Sequence, residues 1–271
     1  MKNHLETGCA WDTGLLRKFN EDSIFCASFD LKTHNGVMSA GLFAVADGMG
    51  GHNAGEVASD LAIRTFHSEV ISGLLDLPAT PPMEILAEAF KMANSAVFYA
   101  AGDRSLQGMG TTLTAALVLN QDMYLAHIGD SRCYIINSRE TLHVSSDHSV
   151  VQQLVDEGVI TPEEARSHPR RNEITRVLGY SADAQPDLLQ VKLYAGDNIL
   201  LCSDGLCGVL EDSKIARTVL ESADPQQACA ELTAQANLAG GPDNISVIIV
   251  RPGNLPSWQA MIAAQTSVRK A

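Results

Sequence analysis

Apolar residues along this chain fall into short runs that suit β-strands, interrupted by longer stretches in which they recur near helical spacing. Strands are predicted at 7–11, 23–29 and 37–46. Helices are predicted over 54–75, carried by Val57, Leu61, Ile63, Val70, Ile71 and Leu74, and over 82–101, carried by Ile85, Leu86, Phe90, Val97 and Phe98. Three more strands follow at 111–119, 123–128 and 133–137. Their joints, Asn120-Gln121-Asp122 and Gly129-Asp130-Ser131, are short enough to predict antiparallel neighbours.

The strand rhythm stops over 147–179, where helical pieces at 150–157 and 162–167 predict an inserted flap, about 148–170. Strands resume at 186–193 and 198–203, helices follow at 212–222 and 225–238, and a strand at 244–250 closes the pattern. Asp212 and Asp224 are the expected N-caps, the latter with Pro225 at the first helical position. Strand runs alternating with helix pairs predict an α+β fold, sheets packed together under outer helices. Residues 1–250 read as one domain and 251–271 as a C-terminal tail with no assigned role.

The 271 residues are 45% hydrophobic, enough for one sizeable core. A net charge of -13, with 19 basic residues in no long run, argues against nucleic acid as a partner. The first residues lack the apolar core of a signal peptide and no stretch is long enough to span a bilayer, so a cytoplasmic location is expected. Six cysteines in apolar settings, without a Cys-x-x-Cys pair, predict free buried thiols.

Carboxylates change the picture. The run 42–46 meets Asp47-Gly48, the run 199–203 meets Asp204-Gly205, and Asp243-Asn244 precedes 245–250. Any single Asp-Gly is an ordinary turn signal. Glu21-Asp22 before a fourth strand and Asp130 within a Gly-Asp-Ser turn bring the set of acidic positions to five. Carboxylates at apolar strand ends are costly unless a cation or hydrogen bonds neutralise them, and oxygen ligands select hard ions such as magnesium or manganese. Two such ions would activate a water for in-line phosphoryl displacement without a protein nucleophile. Arg17 is placed to hold a phosphate dianion, and His52, after Gly50-Gly51, to give a proton to the leaving alkoxide or to serve as an ordinary loop or capping residue.

The segments 14–22, Ala46-Asp47-Gly48-Met49-Gly50-Gly51-His52, Gly110-Thr111-Thr112, Gly129-Asp130-Ser131-Arg132, Asp147-His148-Ser149, Ser203-Asp204-Gly205 and Asp243-Asn244 together resemble the ordered motif set of the metal-dependent type 2C protein phosphatases. The likeness runs from about residue 7 to 250, and 172–179 is similar to the bacterial branch. It implies two antiparallel sheets sandwiched by helix pairs, with two Mn2+ or Mg2+ ions at one edge. By the same likeness Asp47 bridges both ions, Gly48 offers its carbonyl, Asp204 and Asp243 serve one ion, and Glu21 and Asp22 serve the other. A third, weaker ion would use Asp130 with a share of Asp204. The implied activity is removal of phosphate from serine and threonine in phosphorylated proteins by a monomer that opposes a serine/threonine kinase. A narrower phosphatase for an anti-anti-sigma protein and a catalytically dead binding module are the competing readings. Arg17, Asp130 and a complete carboxylate set favour the broad enzyme.

Overall fold

The computed structural model describes residues 5–33, 36–50, 54–253 and 255–257. In chain order the elements are β1 (Leu5–Asp12), β2 (Asp22–Thr33), β3 (Gly36–Met49), α1 (Ala54–Leu74), α2 (Pro82–Ala100), β4 (Gly110–Thr111), β5 (Leu113–Leu119), β6 (Asp122–Ile128), β7 (Arg132–Ile136) and β8 (Thr141–His143). There follow α3 (Val150–Asp156), α4 (Pro162–Ser167), β9 (Asp187–Lys192), β10 (Asn198–Cys202), α5 (Asp204–Cys207), α6 (Asp212–Glu221), α7 (Pro225–Leu238) and β11 (Ile245–Pro252). Two antiparallel sheets result. One has the order β1-β11-β10-β7-β8, the other β2-β3-β5-β6-β9, with β4 paired to β3.

Three apolar layers hold these sheets between helices. Leu42, Ala44 and Ala46 of β3 face α1 and α2, while the alternate residues Phe43 and Val45 face the other sheet. Burial on both faces explains why β3 reads as a continuous apolar run and not as an alternation. On the far side, Leu200 and Cys202 of β10 pack with Ile215 and Val219 of α6 and with Leu232 of α7. The expected α-β-β-α layering is what the chain forms, and all six cysteines are free, four of them buried.

Three expectations are corrected. Gly129-Asp130-Ser131 is not a hairpin: β6 lies in one sheet and β7 in the other, so this joint is a corner that crosses between sheets. Gly129 takes φ +111, and a Cβ there would press into the Thr112 side chain, so the corner needs glycine. The second correction concerns β3, which does not stop at Asp47, because β4 pairs with Gly48 and Met49 and carries the strand past the acid. The third is helical: the N-cap of α6 is Glu211, with Asp212 one step inside, whereas Asp224 caps α7 through Gln227 N as expected. Two elements, β8 and α5, were not anticipated.

The segment between β8 and β9 holds α3 and α4 over the same edge of the sandwich that receives the corner. Its base closes where Ser149 bridges Ile174 and where Thr111 bridges Leu178. Most of the tail, 258–271, lies outside the described residues.

Candidate active site

Both sheets send acidic residues to one edge. Asp22 opens β2 and Asp47 stands opposite it on β3, so the two carboxylates come from paired positions of one sheet. Asp204 begins α5 just beyond β10, and Asp243 lies two residues before β11, so these two come from the other sheet. Asp130, at the corner between sheets, completes the cluster.

Hydrogen bonds from neighbouring residues hold the backbone and several side chains of the cluster. Asp47 donates its amide to Thr112 Oγ1 at 2.9 Å, and its carbonyl accepts from Thr112 N and Thr111 Oγ1, each at 2.9 Å. Asp22 Oδ2 accepts from Ser246 Oγ at 2.7 Å. Asn244 binds the loop that carries Arg17: its Oδ1 accepts from Glu21 N at 2.8 Å, and its Nδ2 donates to the carbonyls of Thr13 and Phe19. Arg17 then reaches Asp243 Oδ2 at 2.6 Å and lies 3.8 Å from Glu21. Gly48 is packed so closely that a Cβ would collide with the carbonyls of Gly55 and Glu21. Thr111, Thr112, Ser246 and Asn244 are supporting residues whose roles the sequence reading missed. Their polar side chains stand beside the acidic motifs, but local sequence does not say what they reach.

Charge accumulates here without matching cations. Burial, together with Asp204 and Asp243, pushes the Asp22 carboxyl up to about 7 against hydrogen bonds from Ser246 and Ser203. Burial, then the charges of Asp22 and Asp204, drives Asp47 well above the carboxylate range. Burial and Asp243 push Asp204 up to about 6, and burial with Asp204 raises Asp130. Glu21 is raised by burial, although Arg17 opposes the shift. One oxygen each of Asp22, Asp130 and Asp204 is shielded from solvent with no hydrogen-bond partner. Buried oxygens left unpaired among like charges are a strong demand for a cation.

The residues present fit hard divalent ions. Every donor is an oxygen, and a backbone carbonyl is close at Gly48. Among the described residues, no three of these groups close into a ready-made cage. The carboxylates line a cavity of about 680 Å³, whose lining also includes Arg17, Ile174, Thr175, Arg176 and Tyr180. Of the nine expected site residues, Arg17, Glu21, Asp47, Gly48, Asp130, Asp204 and Asp243 line this cavity, and Asp22 sits directly behind Asp47. His52 lies outside the described residues, between Gly50 on the cavity wall and Ala54 at the start of α1.

Comparisons with known proteins agree with this geometry. A family model described as protein phosphatase 2C matches residues 19–239. The serine/threonine protein phosphatase PstP of Mycobacterium tuberculosis is 40% identical over 240 residues, 88% of this chain but 43% of its own length. The chain thus spans less than half of that relative. Protein phosphatase PhpP of Streptococcus pneumoniae is 35% identical over 91% of this chain and 97% of its own. Among solved structures, the catalytic domain of PstP in complex with two manganese ions superimposes with a TM-score of 0.80 at 36% identity, covering 93% of this chain and all of that one.

Proposed function

The chain belongs to the protein phosphatase 2C family, and on that premise we propose that it hydrolyses phosphoserine and phosphothreonine in proteins, opposing a bacterial serine/threonine kinase. The observation that carries this reading is the set of unpaired buried oxygens of Asp22, Asp130 and Asp204 beside a cavity that Arg17 also lines. Asp47, the Gly48 carbonyl, Asp204, Asp243, Glu21 and Asp22 would hold two Mn2+ or Mg2+ ions, and Asp130 a third, weaker one. When bound, such ions supply a water nucleophile at neutral pH and neutralise charge on the phosphate.

The chain's own residues do the rest. Arg17 offers a planar pair of N–H groups to two phosphate oxygens and orients the ester for in-line attack. In the structure it is held by Asp243, and a phosphate dianion competes for the same guanidinium. None of the described residues that line the cavity is a cysteine, and burial pushes Cys133 up to about 12 and Cys26 up to about 11, far from a usable thiolate. His52 keeps the proton-donor assignment for the leaving serine or threonine alkoxide.

The enzyme acts as a cytoplasmic monomer on this reading, with residues 1–250 as its catalytic domain. None of the described helices is long and apolar enough to cross a membrane. Hydrolysis of phosphothreonine, phosphoserine and phosphotyrosine peptides, with and without manganese, tests the function. Manganese-dependent release from the first two is expected, and no turnover on any peptide would refute the assignment.

A further inference from the structure

The dipeptide Asp147-His148 grips both ends of the corner that carries Asp130. Asp147 takes the Arg132 guanidinium in a bidentate pair, its Oδ2 accepting from Nη2 at 2.6 Å and its Oδ1 from Nε at 3.0 Å. His148 takes the other end: its amide donates to Gly129 O at 2.7 Å, and its Nδ1 accepts from Gly129 N at 3.0 Å. Because Gly129 N can only donate, Nδ1 carries no proton and the ring hydrogen sits on Nε2. That hydrogen goes to Asp187 Oδ2 at 3.1 Å. Arg176 Nη1 abuts the same Nε2, but both are donors, and the guanidinium hydrogens go to Asp187 Oδ1 at 2.9 Å and Gln185 O at 2.5 Å.

The same residue reaches a further part of the cavity lining through its backbone. Thr175 N donates to His148 O at 2.7 Å, and Val150 N to Glu173 O at 2.9 Å. Ile174, Thr175 and Arg176 line the cavity that the carboxylates also line, and the same strip follows α4. His148 is 7% exposed, and its imidazole spans from the corner to Asp187, which holds Arg176. One residue thus bonds to the corner that carries Asp130 and to the strip 174–176.

We propose that His148 is a positioning residue joining the Asp130 corner to the wall at 174–176, so that cation binding at the carboxylate cluster and ordering of the flap are coupled. The proposal rests on the reading of Asp130 as a metal ligand. A cation that fixes Asp130 fixes Gly129, then the imidazole, then Asp187 and Arg176. By reciprocity, a peptide that orders the wall tightens the cation.

The exposed residues Arg170 and Arg171 in the flap make trypsin the natural probe. In the wild-type protein, saturating manganese should slow cleavage at these arginines relative to EDTA, and equal rates would overturn the proposal without any variant. Two substitutions then separate the halves of the joint. His148→Gln keeps a donor toward Asp187 but leaves Gly129 N unpaired, so the weakest manganese site in calorimetry should weaken by roughly 5- to 100-fold. His148→Asn keeps an acceptor for Gly129 N but cannot reach Asp187, so manganese should bind as in wild type while protecting the flap less. Wild-type titration and wild-type protection in both variants would reduce His148 to a core residue. Asp130→Asn is the control: it should lose one ion and the protection. If it binds as many ions as wild type, the ligand reading of Asp130 has failed; if it loses an ion while both His148 variants behave as wild type, only the present proposal has.

Discussion

Asp22 and Asp47 are register partners on β2 and β3, two acids placed directly opposite each other on a paired strand. Like charges at such positions oppose pairing, yet this pair closes one end of a hairpin of 12 register pairs. The position is therefore one where stability has been given up for binding. Asp47→Asn should abolish metal-dependent turnover while raising the melting temperature in EDTA at pH 8, by roughly 2–4 °C if about 1 kcal/mol of repulsion is relieved. A lower melting temperature in EDTA would show that Asp47 supports the fold.

Adding metal should do what that substitution does, and more. A cation bound only by the native state at about a hundred times its dissociation constant contributes roughly 2.7 kcal/mol, or on the order of 5–10 °C for a chain of this size. Differential scanning fluorimetry with manganese against EDTA checks this, together with loss of p-nitrophenyl phosphate hydrolysis in chelator. Full turnover in excess EDTA would end the metal account.

Arg17 gives a prediction with two signs. Its guanidinium contacts Asp243, and on the proposed reading it takes the substrate phosphate. Loss of a charged hydrogen bond costs on the order of 1.5–3 kcal/mol, so Arg17→Ala should lower kcat/KM on phosphopeptides about 10- to 150-fold. Manganese affinity should stay the same or tighten, because Asp243 loses its competing partner. An unchanged kcat/KM would make Arg17 a surface residue.

Acid sensitivity should trace to the buried histidines. Burial, reinforced by the neighbouring His148, holds His127 down at about 4. The unfolded chain takes up this proton near 6.5 and the native one does not, so the contribution of His127 is intact above 6.5 and is lost as pH falls toward 4. At pH 5 the penalty is about 2 kcal/mol. Denaturant titrations of wild type and His127→Gln should therefore converge between pH 7 and pH 5 by about that amount. Parallel curves would mean that His127 titrates normally.

Much of this site was legible because its chemistry is written beside apolar runs. Asp47, Asp204 and Asp243 each adjoin a strand that reads clearly, and the α7 cap at Asp224 is a local signal. The corner at Asp130 was not legible, because a hairpin and a crossing between sheets both need a glycine turn of this length. What decides between them is distant in sequence: the Thr112 side chain against Gly129, and His148 19 residues further on. The short α5 failed for another reason, as four residues carry no periodicity. At α6 the cap falls one residue earlier than Asp212, at Glu211, whose side chain makes no capping bond, so no local cap signal marks the boundary.

The position of β11 has a consequence for when this protein can begin to work. The strand lies far along the chain yet pairs in the interior of its sheet, between β1 and β10. Asp243 and Asn244, which flank the start of that strand, tie the Arg17 loop and the carboxylate cluster together. A growing polypeptide therefore cannot complete the carboxylate cluster until this late segment has emerged and inserted between β1 and β10. Pairings of such long sequence separation form slowly. A chain cut short before residue 243 would lack both the Asp243 contact to Arg17 and the Asn244 bonds to the Arg17 loop.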